Sequence, residues 1–166
     1  MKMMRPGIIC TILLLLMMAA CTHEPVTVPE IGPAGISVCK RGGEKSGDSV
    51  ARDQDCLQYR WVDGDTLILK HINAAFNCCP EGVDVTLKVS GDTLMVTEQE
   101  RSALCDCNCL YDLGYRISGI GLAKWHISVK EQYVQPAERA LSFEINLEES
   151  TAGEQCITRS GYPWGL

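Results

Sequence analysis

The sequence predicts an all-β protein, a disulfide-stapled antiparallel β-sandwich of about seven or eight strands. Three observations lead there. From Cys56 onward apolar residues recur at every second position, the period of a strand with one buried face. Short clusters of Gly, Asp and Pro separate these runs, and no long stretch keeps a helical spacing. Ten cysteines are present, and eight of them follow Cys21.

The chain opens with a positive start, Lys2 and Arg5, and an apolar run from Ile8 to Ala20. That run is shorter than the roughly 20 residues a helix needs to span a bilayer, and it has the form of an export signal. It ends Met18-Ala19-Ala20-Cys21. Small residues directly before a cysteine resemble the lipobox of bacterial lipoproteins, with Met18 standing where leucine is commonest. The resemblance implies cleavage before Cys21, diacylglycerol on its sulfur and acylation of the new amine. One acyl chain anchors only marginally, at about 0.8 kcal/mol per buried methylene, so the two or three chains implied would hold the protein on a membrane. Residues 1–20 are therefore expected to be a lipoprotein signal peptide. Residues 21–35 are expected to be an extended tether, because Pro25, Pro29 and Pro33 favour a semi-stiff chain. Residues 36–166 then form a single β domain.

The net charge is −6, and removal of Lys2 and Arg5 with the signal makes the remainder more acidic. An acidic domain repels phosphate backbones, which argues against nucleic acid and against charge-driven binding to anionic lipid. Arg41-Gly42-Gly43 occurs once, inside the polar stretch from Lys40 to Asp55, and reads as loop. Cys39 and Cys56 bracket that stretch. A loop of this length is uncommon without a staple or a function.

Strands follow in order. Leu57, Tyr59 and Trp61 alternate with Gln58 and Arg60, and Asp63-Gly64 is a hairpin signal. Thr66 to Phe76 is the return strand, ended by Cys78-Cys79-Pro80 because proline cannot donate to a central ladder. Val83, Val85, Leu87 and Val89 alternate, Ser90-Gly91-Asp92 turns the chain, and Thr93 to Thr97 returns. The tetrad Gly-Asp-Thr-Leu occurs at Gly64–Leu67 and at Gly91–Leu94, and reads as shared turn chemistry rather than a repeat. Glu98 to Ala103 is charged and is expected to form one helical turn. Leu104 to Ile117 is expected as the organising strand, with Cys105, Cys107, Cys109, Tyr111, Leu113, Tyr115 and Ile117 on one face and Leu110 the apolar exception. Trp125, Ile127 and Val129 make another strand, and Leu141, Phe143, Ile145 and Leu147 the last clear one. The tail closes with Cys156 and Gly161-Tyr162-Pro163-Trp164.

The eight cysteines are Cys39, Cys56, Cys78, Cys79, Cys105, Cys107, Cys109 and Cys156. An even count in an exported chain reads as a disulfide framework, and eight allow 105 complete pairings. Residues i and i+2 of a strand lie about 6.5–7 Å apart with parallel Cβ vectors, so Cys105, Cys107 and Cys109 should not pair with one another. Cys78 and Cys79 are natural partners for two of them, which leaves Cys39, Cys56 and Cys156 to staple loops or termini. The alternative is a metal site. Cys78, Cys79, Cys105, Cys107 and Cys109 resemble thiolate clusters that hold copper(I) or zinc, to which His71 and His126 could add nitrogen ligands. Zinc pairs usually have two to four residues between ligands, and an oxidising compartment favours bridges over free thiolates. A redox Cys-x-x-Cys at a helix start is absent.

No catalytic residue is proposed from the sequence. Of the three histidines, His23 lies in the tether, and His71 and His126 fall on strand parities that face solvent. No Gly-x-Ser-x-Gly elbow supports a triad. Trp61, Trp125, Tyr133 and Trp164 could stack on a glycan, but Trp61 and Trp125 lie on core parities. Asp63, Asp65, Asp92 and Asp112 are turn formers rather than calcium ligands, since no EF-hand loop is present.

The runs Asn73-Ala74-Ala75-Phe76-Asn77-Cys78-Cys79 and Cys105-Asp106-Cys107-Asn108-Cys109-Leu110-Tyr111-Asp112, with the lipobox and the closing Cys156 to Trp164, resemble uncharacterised cysteine-rich lipoproteins of Bacteroidota-type bacteria. The resemblance implies a β fold and a lipid-anchored place in the bacterial envelope, the outer membrane above all. It implies no activity. The expected function is a non-enzymatic binding or structural module without a cofactor. Its partners would be the membrane, through its anchor, and an envelope protein or glycan.

Overall fold

The computed structural model describes residues 28–33, 35–40 and 50–165. Two short strands come first, β1 (Glu30–Ile31) and β2 (Gly35–Ile36). Eight longer ones follow: β3 (Gln54–Val62), β4 (Thr66–Asn77), β5 (Val83–Ser90), β6 (Thr93–Glu100), β7 (Asn108–Ser118), β8 (Lys124–Lys130), β9 (Leu141–Asn146) and β10 (Ala152–Thr158). Among the described residues there is no helix.

One sheet runs β1-β7-β4-β3-β10, with β2 beside β7 as well, and the other runs β5-β6-β8-β9. All pairs are antiparallel except β6 with β8. The two inner faces share one core. Leu57, Leu69, Phe76 and Leu113 from the first sheet meet Leu94, Val96, Ile127 and Ile145 from the second, all buried. This is the expected all-β, two-sheet fold. At the β3–β4 hairpin Asp63 and Gly64 take φ of 56° and 82°. Only Gly and short polar residues accept positive φ easily, and two such residues in a row match the twist of the paired strands.

The segment 21–35, expected as tether, is held by the sheet in its later part. Glu30 and Ile31 pair with Ser118 and Ile117, and Gly35 pairs with Gly114. Residues 21–27, Cys21 and His23 among them, lie outside the described residues, as does the signal region.

Three local expectations need correction. Glu98 does not enter a helical turn, because β6 continues through Glu100 with Leu94, Val96, Glu98 and Glu100 all facing inward. Two carboxylates can follow two apolar side chains inside because partners wait for them there. The organising strand starts at Asn108, not Leu104, so Cys109 alone of the three thiols lies on it. Cys105 and Cys107 sit in the preceding loop, half-buried and exposed respectively. The third correction concerns β4. Its inward residues are Leu67, Leu69 and His71, then Ala74 and Phe76, because the register slips by one residue between Ile72 and Ala74. Asn73 sits in the slip with φ of 65°, a bulge that turns the later half of the strand over.

Leu110 is no surface exception. It is buried on the outer side of the first sheet with Ala75 and Trp164, and Tyr133 and Val134 pack around them. The tail is fastened there by the Trp164 indole N–H, which donates to the Asn73 carbonyl at 2.7 Å.

Candidate functional site

The cysteines form four bridges. Cys78 joins Cys107, Cys79 joins Cys105, Cys39 joins Cys109 and Cys56 joins Cys156. The loop position of Cys105 and Cys107 frees them from a parallel arrangement, so each meets one thiol of the Cys78-Cys79 pair. Asn77 organises this corner. Its Oδ1 accepts from the backbone N–H of both Cys79 and Cys105, at 3.0 and 3.1 Å. Its own N–H donates to buried Glu100 at 2.6 Å, a carboxylate that also accepts from the Tyr133 hydroxyl. Cys56 and Cys156 sit directly opposite each other on β3 and β10. A sulfur in a disulfide offers no thiolate. A copper or zinc site at Cys78, Cys79, Cys105, Cys107 and Cys109 would therefore require reduction first.

The chemistry with the strongest perturbation lies elsewhere, between the sheets. His71 is fully buried, not solvent-facing. The bulge at Asn73 explains the difference: parity counted back from Ala74 and Phe76 is wrong by one residue before the slip. His71 Nδ1 bonds the Glu98 carboxylate at 2.8 Å, across the core from β6. Its Nε2 bonds Asp55 Oδ1 at 2.7 Å, on neighbouring β3. Arg159, just past β10, donates from Nε to Asp55 Oδ2 at 2.8 Å and from Nη2 to Glu131 Oε2 at 2.6 Å. Its guanidinium also lies 5.3 Å from the centroid of the Trp164 ring, which ties the cluster to the tail. Glu131, just past β8, keeps its other oxygen, Oε1, buried with no hydrogen-bond partner. That oxygen stands 3.8 Å from His71 Nε2. The Tyr115 hydroxyl is likewise buried without a hydrogen bond of normal geometry, and burial and then the Glu98 charge push its pKa up.

Three acids thus face two bases in a buried cluster, and protonation follows. Burial by itself would lower the pKa of His71, but the charges of Glu98 and Asp55 outweigh it and hold the imidazole well above its usual value. Burial pushes Asp55 up, yet His71 and Arg159 together carry it below the ordinary carboxylate range. Glu131 is pushed up to about 8, by burial first and by the Asp55 and Glu98 charges, against the pull of His71 and Arg159. At neutral pH the third acid, Glu131, therefore keeps its proton.

A stability profile follows from these directions. Folded His71 and Glu131 hold protons that the unfolded chain releases near 6.5 and 4.5. Their stabilisation is complete below those values and is lost as pH rises through the folded ones. Asp55 acts oppositely, contributing above 3.8 and losing its share in stronger acid. From pH 6.5 to about 8 both excess protons act, so the folding constant drops by up to about a hundredfold per pH unit. Urea midpoints measured in chelator should fall steadily through this window. Glu131→Gln should leave only about a tenfold drop per unit, from His71 alone. A flat profile for the unaltered chain would contradict the assignment.

Of the other residues singled out in the sequence, His126 is half-buried on β8 and its Nε2 bonds the Ser142 hydroxyl at 2.8 Å. It lies on the other sheet from His71, and neither joins the cysteines. Trp61 and Trp125 pack against the core while Trp164 is buried on the opposite side of the first sheet, so the aromatics do not assemble into one platform. Asp63 lies in the hairpin turn, and Asp112 takes ion pairs from Lys40 and Lys70.

Asp55, Glu98, Glu131 and Arg159 were not singled out from the sequence. A signal existed for two of them. Asp55 shares the inward parity of Leu57, and Glu98 that of Leu94 and Val96. Glu131 and Arg159 lie just past strand ends, where no period applies.

Fold and site together define a disulfide-stapled, two-sheet β domain with an ion cluster sealed in its core. Comparison of the chain with protein-family models, with curated proteins and with solved structures returns no match.

Proposed function

We propose that this chain is a lipid-anchored protein of the bacterial envelope, whose β domain acts without catalysis, as a binding or structural module toward another envelope protein or a glycan. The observation that carries the reading is the cysteine usage. All eight cysteines beyond Cys21 are joined in bridges, which form and persist outside the reducing cytoplasm. The export signal and Met18-Ala19-Ala20-Cys21 supply the route and the anchor. Four bridges, at the Asn77 corner and between segments far apart in the chain, suit a domain that must keep its shape outside the cytoplasm.

Metabolic labelling tests the anchor. Expressed in a bacterium fed an alkyne analogue of palmitate, the chain should carry the label and sediment with membranes. Cys21→Ser should lose the label. An unlabelled, soluble parent chain would overturn the proposal. The thiolate-metal alternative gains no support from a domain whose eight thiols are paired.

A further inference from the structure

We propose that Asp55, His71 and Glu131 form a site for one divalent metal ion of the zinc class. Asp55 Oδ1, His71 Nε2 and Glu131 Oε1 all lie within 4.8 Å of one another. One imidazole nitrogen and two carboxylate oxygens are an ordinary donor set for zinc, at about 2.0–2.2 Å each. Tetrahedral ligands at that distance stand roughly 3.3 Å apart. The Nε2–Oδ1 separation of 2.7 Å must open a little and the Nε2–Oε1 separation of 3.8 Å must close a little. Both changes are only about half an ångström.

Two further observations point to an ion. Glu131 Oε1 is a buried polar atom with no hydrogen-bond partner, on a side chain only 4 % exposed, and it is directed at Nε2. An atom of that kind is costly to bury unless something completes it. The surrounding groups also orient the three donors. Glu98 accepts from Nδ1–H, so the proton displaced by an incoming ion is the one on Nε2, whose lone pair then faces the carboxylates, the usual carboxylate–histidine–zinc arrangement. Arg159 holds the far oxygens of Asp55 and Glu131 and so turns Oδ1 and Oε1 inward. Charge closes as well. A divalent ion and Arg159 together balance the carboxylates of Asp55, Glu98 and Glu131 once His71 is neutral. This site is separate from the cysteines and is independent of the lipid anchor.

The test uses the full chain, bridges intact, in detergent, stripped with chelator and titrated with zinc alone and then cobalt(II) alone. One equivalent of zinc should bind and raise the melting temperature. Cobalt should give the visible bands of a four-coordinate nitrogen–oxygen site, without the near-ultraviolet band of a cobalt–thiolate bond. Glu131→Gln should weaken zinc at least a hundredfold, and Glu98→Gln about 10–100-fold. Absence of binding by the parent chain would overturn the proposal, and so would a thiolate band or an unchanged affinity in Glu131→Gln. The parent-chain spectrum decides the matter even if a variant fails to fold.

Discussion

Removing the bridge between Cys56 and Cys156, with alanine at both positions, is expected to cost about 4 kcal/mol of stability and about 10–15 °C in melting temperature. The bridge closes the longest loop in the domain, with a sequence separation of 100. In the chain-entropy account a loop of that length restricts the unfolded ensemble by about 4.7 kcal/mol, and shortcuts through the other bridges trim this only modestly. It also joins the outermost strand of the first sheet to its neighbour. The twin bridges provide the contrast. Cys78–Cys107 and Cys79–Cys105 have separations of 29 and 26 and run side by side. Either one keeps nearly the same loop closed, so losing one alone should cost less than about 1 kcal/mol. Losing both should cost about 3.5 kcal/mol. Urea unfolding of the three variants checks the pattern. Equal losses for the Cys56–Cys156 variant and for a single twin-bridge variant would refute it.

Asp55→Ala is expected to destabilise by about 3–5 kcal/mol, more than almost any other single polar substitution in this domain. Asp55 is completely buried and serves two cations at once, His71 through Oδ1 and Arg159 through Oδ2. Deleting it leaves Arg159 with only Glu131 as a charged partner among the described residues, and a guanidinium cannot escape by losing its proton. Part of the loss returns because Glu131 can then ionise as a substitute. The variant should therefore also show a shallower pH profile between 4.5 and about 8. Asp55→Asn keeps the volume and one acceptor and should fall between the parent and the alanine variant. Chemical denaturation near neutral pH measures both. A loss below about 1 kcal/mol for Asp55→Ala would show that the cluster contributes nothing net to the fold.

Much of the architecture was readable one strand at a time. The alternation in Leu57–Tyr59–Trp61, in Val83–Val89 and in Leu113–Ile117 is the alternation the sheets display, because a half-buried strand must sort its side chains by face. The hairpin at Asp63-Gly64 was equally legible, since its backbone needs residues that accept positive φ. Period two fails wherever the strand itself changes step. Asn73 inserts one residue into β4, so His71 faces the core although the parity of Ala74 and Phe76 says otherwise. Extending the parity of Tyr111 back to Cys105 and Cys107 fails for a related reason, because the ladder begins only at Asn108.

The amino-acid sequence by itself determined that this is a β protein with eight cysteines beyond Cys21 able to pair. Those features are local: residue order, spacing and composition suffice to write them. The tertiary structure alone decided which sulfurs meet and that His71, Asp55, Glu98, Glu131 and Arg159 gather in one buried cluster. Pairing and clustering depend on distances between segments far apart in the chain. A single bulged residue changed which side of a strand faces the core, and with it where a buried charge had to find its partners.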